Sequence, residues 1–416
     1  NNTGIDNNDN NQDPKIKPTQ IRTASVYKAK AILAEIPMFS NGINDGSPSK
    51  PGLVTTSLII TKAPNPDPDD KNAPESGDQN GTLKFQPPTD FNVNPLQSSL
   101  LSFFRKNAKA LPNGYNLNIN TNKRQYLAKN RENIAANIAM MLDAAVSGRP
   151  LRRNTILFAR LQATGNLQKP NYAWELIQQL EELSLPIGTR LIVGKGMIEE
   201  MTGMLVLDKA SFFTKYEVLE ASNFEMAREL FYEDGKMPED LKTASKSYLE
   251  VCDKALQVAH LGNFLSLSAV KDRLIKASQL SPNHISAAML ARQSIRRPAY
   301  FSHFLFTQEL NRLLEPLAQF EYEIDQTSEL AVTEVYKRTR DRITPLKKRL
   351  QRRDIEILDD ALNLIKDLNS VGRGASAILD NEEETRAQDM IKFQKKLERF
   401  RARLREGSQP TPKKDN

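Results

Sequence analysis

The sequence contains very little cysteine and histidine, and this shortage excludes most disulfide and metal architectures. Its single cysteine, Cys252, cannot close an intrachain disulfide or supply the thiolates of a structural zinc site. The three histidines, His260, His284 and His303, are not spaced as the i, i+4 pair of a helical zinc site. So few thiols also suit an oxidising compartment such as the periplasm, where stray cysteines would cross-link.

Motifs for nucleotide, calcium or nucleophile chemistry are lacking as well. Gly188 and Gly194 enclose five residues where a phosphate loop needs four, and Gly196 stands in place of the required Ser or Thr. The acidic stretch NPDPDDKNAPE lacks the glycine of a calcium loop, and no G-x-S-x-G nucleophile elbow occurs. A Ser-His-Asp set would stay invisible in the sequence because its members meet only in the fold. We expect no enzyme activity, no cofactor and no metal.

Long apolar runs and glycine are also scarce. No stretch approaches the ~18 consecutive apolar residues that a membrane helix needs. Glycine supplies only 18 of the 416 residues, whereas residues with high helix propensity are abundant. The composition therefore predicts a mainly α protein with no transmembrane segment of its own.

The amino-terminal part of the chain has a different composition, because 13 of the 23 prolines lie in the first 115 residues. Proline blocks helix interiors, so we assign residues 24–115 to a Pro-rich region of loops and short strands. The segments 53–61 and 82–86 are predicted to be strands that form an antiparallel pair. Between them, residues 63–81 lack large apolar side chains and are predicted to be a long flexible loop.

The first residues of the sequence favour an exported protein. Residues 1–23 are polar, rich in asparagine and without periodicity, which predicts a disordered leader. Such a start is typical of the chain that remains after a signal peptide is removed. Residues 24–36 fit either a short helix or a strand-like arm.

Residues 116–370 are predicted to form a helical domain. Within it, residues 124–148 place apolar side chains at spacings of three, four and seven and end at Gly148, a typical helix cap. Residues 301–325 carry one continuous leucine-rich stripe, so we expect a single helix that Pro316 kinks rather than ends.

The segment 187–219 leaves two alternatives open within this domain. It fits either a β-hairpin around a short helix or a series of helices broken by glycines. Just before it, residues 171–185 are predicted to be a helix whose apolar stripe contains the only tryptophan, Trp174.

The last segment, 371–416, is predicted to be a charged helix followed by a tail. Its helical part, 376–406, is acidic in the first half and basic in the second, an order that matches the helix dipole. Its apolar stripe is thin and consists of Ile391, Leu397, Phe400 and Leu404. A helix this polar either stands in water or docks on a partner.

A dense basic cluster lies at residues 334–353, where nine Lys and Arg residues accompany only two acids. Such a patch is typical of a nucleic-acid binder, but it also fits a solvated or protein-docking face of two helices that meet at Pro345. A membrane-surface or lipid-headgroup role is the third interpretation. Proteins that bind single strands interleave aromatic residues for base stacking, and here only Tyr336 is available. The candidate partner-binding or polyanion-binding residues are Lys337, Arg338, Arg340, Arg342, Lys347, Lys348, Arg349, Arg352 and Arg353.

The overall organisation resembles the IcmX family, the periplasmic components of type IVB (Dot/Icm) secretion systems. The likeness is carried by the NNTGIDNNDNNQDP start, the Pro-rich first third, the long helical body and the KKLERFRARLREG segment. The resemblance implies a non-enzymatic part of a protein-transport channel that forms oligomers and contacts an inner-membrane secretion protein. It carries over no functional residues.

Two function classes follow from these observations. The first is a structural subunit of an exported, periplasmic multiprotein complex, with itself and a secretion protein as partners. The alternative is a cytoplasmic or viral RNA-binding nucleoprotein, since such proteins are also helical, basic and of similar length. An unrecognised hydrolase is a third and weaker alternative.

Overall fold

We describe the protein from a computed structural model. The predicted leader, 1–23, and the predicted loop, 63–81, lie outside the described residues. Helices account for most of the described residues, which confirms the mainly α prediction. The structure describes residues 31–41, 51–62, 84–86, 94–107, 115–120, 131–171, 173–182, 185–295, 299–318, 328–373 and 382–407.

The elements follow one another in a mixed order. The strands are β1 (Ala31–Asn41), β2 (Pro51–Lys62), β3 (Lys84–Gln86), β4 (Tyr115–Asn120), β5 (Thr155–Phe158), β6 (Arg160–Leu161), β7 (Leu167–Gln168), β8 (Thr189–Gly194) and β9 (Tyr216–Ala221). The first helices are α1 (Asn94–Lys106), α2 (Arg131–Ser147), α3 (Ala173–Glu182), α4 (Ile198–Val206), α5 (Phe212–Lys215), α6 (Phe224–Phe231), α7 (Glu239–Ala255) and α8 (Leu261–Leu265). The later ones are α9 (Ser268–Leu280), α10 (Ile285–Ser294), α11 (His303–Leu313), α12 (Glu315–Ala318), α13 (Ser328–Ile343), the 3-10 helix Thr344–Arg349, α14 (Arg352–Arg373) and α15 (Glu382–Gly407).

A three-stranded parallel sheet in the order β5-β8-β9 forms the centre of the body. Both of its faces are buried. Ile156 and Leu191 face one core with α3 and α4, whereas Leu157 and Ile192 face a second core with α2 and α6. β5 is apolar at three of its four residues and shows no alternating pattern, as is usual for a strand buried on both faces. Sequence periodicity therefore did not reveal it inside the predicted helical domain.

The segment 187–219 contains strands and helices, but the hairpin alternative is wrong. β8 and β9 pair in parallel, with Leu191 opposite Val218, and α4 and α5 form the crossover between them. Parallel neighbours need such a crossover because the end of the first strand and the start of the second lie at opposite edges of the sheet. The outer side of β9 also pairs with its own chain: the Glu220 N–H donates to the Asn283 carbonyl at 2.8 Å, and a bridge joins Leu219 to His284.

The strands of the Pro-rich region do not pair as expected. β2 covers the predicted 53–61 strand, but its neighbours are β1 and β4, in the order β1-β2-β4-β3. β3, at the predicted 82–86 strand, pairs in parallel with β4. The expected antiparallel pair is wrong because β2 pairs with the preceding strand β1 and with β4, so that β4 lies between β2 and β3. Local patterns do not encode the long-range position of β4. In the segment 24–36, the described residues from Ala31 onward form β1, a strand.

The predicted helix cap at Gly148 and the predicted apolar stripe of α3 are confirmed. Gly148 follows α2 with φ +67°, and its N–H donates to the Ala144 carbonyl at 2.9 Å. Trp174, Ile177 and Leu180 of α3 are all fully buried.

The predicted continuous helix at 301–325 is wrong over its described part. α11 ends at Leu313 and a new short helix, α12, begins at Glu315. Pro316 is therefore in the first turn of a helix, where its missing N–H costs nothing. The leucines on both sides, Leu310, Leu313, Leu314 and Leu317, are buried as expected.

The charged helix α15 docks on its own chain. Its residues Leu397, Phe400 and Leu404 are buried, whereas Ile391 is 55% exposed. The Arg401 guanidinium donates to the Asn311 side chain of α11 at 2.8 Å. None of the helices in the described residues combines the length and apolar character that a bilayer span requires.

Candidate functional site

The predicted basic residues lie together on the surface of the described structure. We call residues 337–353 the basic turn: it comprises the end of α13, the 3-10 helix and the start of α14, and α13 packs along α14. The buried side chains of Ile343 and Leu346 anchor it to the core. The Phe301 N–H also donates to the Arg349 carbonyl at 3.0 Å. The turn is therefore a fixed surface feature.

Four of the nine cations have acidic neighbours. Lys347 contacts Asp359 at 2.8 Å, and Arg349 contacts Asp208 at 2.8 Å, next to the crossover of the sheet. Arg340 pairs with the adjacent Asp341, and Arg353 lies 3.7 Å from Asp354. The remaining five are exposed and have no ion-pair partner among the described residues: Lys337, Arg338, Arg342, Lys348 and Arg352.

Tyr336, the one aromatic residue next to the cluster, is poorly placed for base stacking. Its ring is partly buried against the core, and the Arg340 guanidinium carbon lies 5.4 Å from the ring centroid. Single-strand binders present free aromatic faces to successive bases. The basic turn thus offers charge without a stacking platform.

A buried polar cluster joins β8, β9 and α7. The Arg190 Nε donates to Glu217 Oε2 at 2.7 Å, and the Ser245 hydroxyl donates to the other carboxylate oxygen. Burial alone would raise the pKa of Glu217, but the nearby His284 ring and the Arg190 charge outweigh it and hold the pKa at about 2. The sequence contained these residues, but no local pattern linked them.

This cluster does not assemble a nucleophile. Ser245 donates its proton to a carboxylate whose low pKa makes it a very weak base. His284 Nδ1 accepts from the Ala287 N–H at 3.2 Å, and its Nε2 lies 3.6 Å from Glu217. Burial raises the pKa of the nearby Cys252 thiol to about 12, so the reactive thiolate is not populated at neutral pH.

The three histidines are distributed over different parts of the fold. His260 is exposed, His284 is buried beside β9, and His303 contacts the buried Asp354 at 2.7 Å. Among the described residues, no three His, Cys, Asp or Glu side chains come together as a metal site.

A second buried cluster surrounds Glu309 of α11. Its carboxylate accepts from Trp174 Nε1 at 2.9 Å and from Gln178 at 3.2 Å, and it pairs with Arg312 at 2.7 Å. The neighbouring Glu175 has a buried Oε2 with no hydrogen-bond partner. Burial, supported by the Glu309 charge, raises the pKa of Glu175 to about 7.

Replacing Glu175 with glutamine is expected to stabilise the protein at pH 8 but not at pH 4. A folded pKa above the unfolded value of about 4.3 means that stability is lost as pH rises from there towards 7. The neutral amide removes this loss, worth roughly 3–4 kcal/mol for a pKa that falls from about 7 to about 4.3 on unfolding. Urea unfolding of wild type and E175Q at both pH values measures it. The exposed Glu239→Gln serves as control, and an equal gain at both pH values would contradict the interpretation.

Comparison with known proteins adds no relative. A scan against protein-family models and a search of curated proteins both find no match. Function therefore has to be inferred from side-chain geometry and charge.

Proposed function

We propose that this chain is a non-enzymatic structural subunit that assembles with further copies of itself through the basic turn. The observation that carries the proposal is the separation of charge along α14 and α15. The basic turn lies at the start of α14. Residues 380–389, where α15 begins, contain five acids and one base.

The two helices run antiparallel, which keeps the opposite charges apart within one copy. Asp367 of α14 contacts Lys396 of α15 at 3.0 Å. Asp360 and Arg403, one on each helix, line a groove between them. Arg352 and Asp367 are 15 positions apart, about 22 Å along a helix axis. The acidic start of α15 lies beyond that point.

Opposite charges that cannot meet within one molecule can meet between neighbours. The basic turn of one copy would contact the acidic start of α15 of the next, which is a head-to-tail interface. Such interfaces close into rings or continue as filaments, depending on the rotation between copies. A channel component of the kind that the IcmX resemblance implies would need such repetition.

The compartment and the second partner belong to the same proposal. An exported, periplasmic subunit of a secretion complex would assemble beside an inner-membrane secretion protein. The scarcity of cysteine supports an oxidising compartment, and Cys252 is buried. Its non-enzymatic character is supported by the cluster around Glu217, whose ionisable groups are held in structural pairs.

RNA binding is the second candidate function, and one observation favours it. The five exposed cations of the basic turn without acidic neighbours could contact phosphates. Each such contact releases counterions, so affinity would fall steeply with added salt. Nucleic acid that co-purifies with the wild-type chain at low salt would support this candidate over self-assembly.

Neutralising these five cations tests the assembly. Replacing Lys337, Arg338, Arg342, Lys348 and Arg352 together with glutamine should weaken self-association at least about fivefold, since exposed pairs contribute roughly 0.2–1 kcal/mol each. Light scattering against concentration, at low and high salt, measures the association.

The control replaces five other exposed cations and leaves association unchanged: Lys215, Lys254, Lys276, Lys366 and Lys395. Charge reversal provides a sharper test. Changing the five cations of the turn to glutamate, or Glu382, Glu383 and Glu384 to lysine, should each abolish assembly, and both changes in one chain should restore it. A wild-type chain that stays monomeric at high concentration would overturn the proposal.

A further inference from the structure

A cleft opens at the edge of the central sheet where its parallel strands begin. Arg152 lies just before β5, and Arg190 is the second residue of β8. Residues 235–237 and the outer face of α7 form the remaining walls. The cleft measures about 710 Å³, within the usual range of small-molecule sites. It is separate in sequence from the basic turn.

The cleft is lined by an excess of cations. Arg152, Arg190, Lys236, Lys242 and Lys246 line it, against the two carboxylates Glu250 and Asp253. One carboxylate and one lysine already have partners outside this set, since Glu250 accepts from Arg273 at 2.7 Å and Lys242 contacts Glu239 at 3.5 Å. The lysines belong to the 235–237 segment and to two successive turns of α7, so they converge only in the fold.

The two arginines differ in their partners. Arg190 is neutralised by Glu217 in the wall behind the cleft. Arg152 has a buried Nε without a hydrogen-bond partner and makes no ion pair among the described residues. Burial, together with the Arg190 charge, lowers the pKa of Arg152. The carboxylates of Glu217 and Glu233 also act on this charge but do not outweigh burial and Arg190. A partly buried guanidinium that no carboxylate contacts is costly, and an anionic ligand in the cleft would reduce that cost.

We propose that this cleft binds a small soluble phosphate monoester. A guanidinium with nearby ammonium groups suits a dianionic phosphate, which accepts several charge-assisted hydrogen bonds at once. The cleft also has an apolar side formed by Met237 and by Leu249, whose side chain is 42% exposed. This side would take the organic group of the ester.

Calorimetry with phenyl phosphate and with inorganic phosphate tests the proposal on the full chain. Phenyl phosphate should bind saturably and more tightly than inorganic phosphate, because only the ester reaches Met237 and Leu249. Benzoate, a monoanion with the same ring, should bind at least about tenfold more weakly than phenyl phosphate. Binding to phosphatidic acid vesicles without binding to phenyl phosphate would overturn the soluble-ligand assignment.

Two variants and a control locate the site. Arg152→Gln and the double variant Lys242→Gln, Lys246→Gln should each weaken phenyl phosphate binding at least about tenfold, since each removes charge-assisted contacts. The two lysines are exposed, so the double variant should fold normally. Lys254→Gln lies on the same helix outside the cleft and should bind like wild type. If Arg152→Gln and the double lysine variant bind phenyl phosphate as tightly as Lys254→Gln, the proposal is overturned. The five-glutamine variant of the basic turn should bind phenyl phosphate like wild type.

Discussion

Replacing Arg190 with methionine is expected to destabilise the protein by roughly 3–5 kcal/mol. The side chains of Arg190 and Glu217 are 7% and 5% exposed, and their contact is 2.7 Å. Methionine fills much of the space but leaves the Glu217 carboxylate buried without its cation. Breaking one side of a buried pair costs more than the pair contributes, because an uncompensated charge remains.

The pH dependence gives this prediction its sharpest test. In the wild type, the folded pKa of Glu217 is about 2, below the unfolded value of about 4.3. It therefore contributes stability that is present above about pH 4.3 and is lost as pH falls towards 2. Arg190→Met removes the part of that contribution that comes from Arg190, while His284 stays beside the carboxylate. The difference from wild type should therefore be largest at neutral pH and should shrink in acid.

Urea unfolding followed by the fluorescence of the single tryptophan, Trp174, measures both effects. The matched control is Arg149→Met, which breaks the partly exposed pairs of Arg149 with Glu229 and Asp234. Because it removes two such pairs and a guanidinium that lies over the Tyr232 ring, it should cost about 1–2 kcal/mol, less than Arg190→Met. A cost for Arg190→Met as small as for this control would show that the buried pair is not important for stability.

Trp174→Ala is the second change with a large expected effect, about 3–5 kcal/mol. The indole is fully buried and packs edge to face against Phe301, with ring centroids 6.1 Å apart. Gly203 of α4 lies so close that a Cβ there would be 2.6 Å from the indole. The alanine variant therefore leaves a cavity between α3, α4 and α11, and Glu309 loses one of its donors.

A series of two variants separates packing from hydrogen bonding. Trp174→Phe keeps most of the ring volume but removes the Nε1–H that Glu309 accepts, so it should cost about 1–3 kcal/mol. Circular dichroism must follow the unfolding, because both variants remove the only tryptophan. Equal stability of wild type and Trp174→Ala would mean that the indole does not hold these helices together.

The parts of the fold that local signals determine could be predicted from sequence. The stripe through Trp174, Ile177 and Leu180 and the cap at Gly148 follow from helical spacing and from glycine's tolerance of positive φ. The break before Pro316 was missed because a proline in a first turn and a proline that kinks an interior look alike in sequence.

Long-range pairing explains the remaining errors in the fold. β5 and β8 are short apolar runs, and such runs read equally well as buried helix. The strand at 82–86 was recognised, but its partner β4 lies far along the chain, so register and direction were not encoded nearby.

The two candidate sites also differ in how far the sequence predicts them. The basic turn is contiguous, so its charges were visible in the sequence, although which of them lack acidic neighbours depends on Asp208 and Asp359 in the fold. The cleft was missed because Arg152, Arg190 and Lys246 lie in separate segments with no local charge run. Only the start of the parallel strands brings them to one place.

The backbone pairing on the outer side of β9 limits aggregation by strand addition. The unpaired N–H and C=O groups of an edge strand can hydrogen-bond with a strand of another chain, and repeated addition leads to insoluble cross-β fibres. Asn283 and His284 already pair with part of the outer edge of β9. Neighbouring molecules are therefore hindered from adding a strand to the sheet at β9.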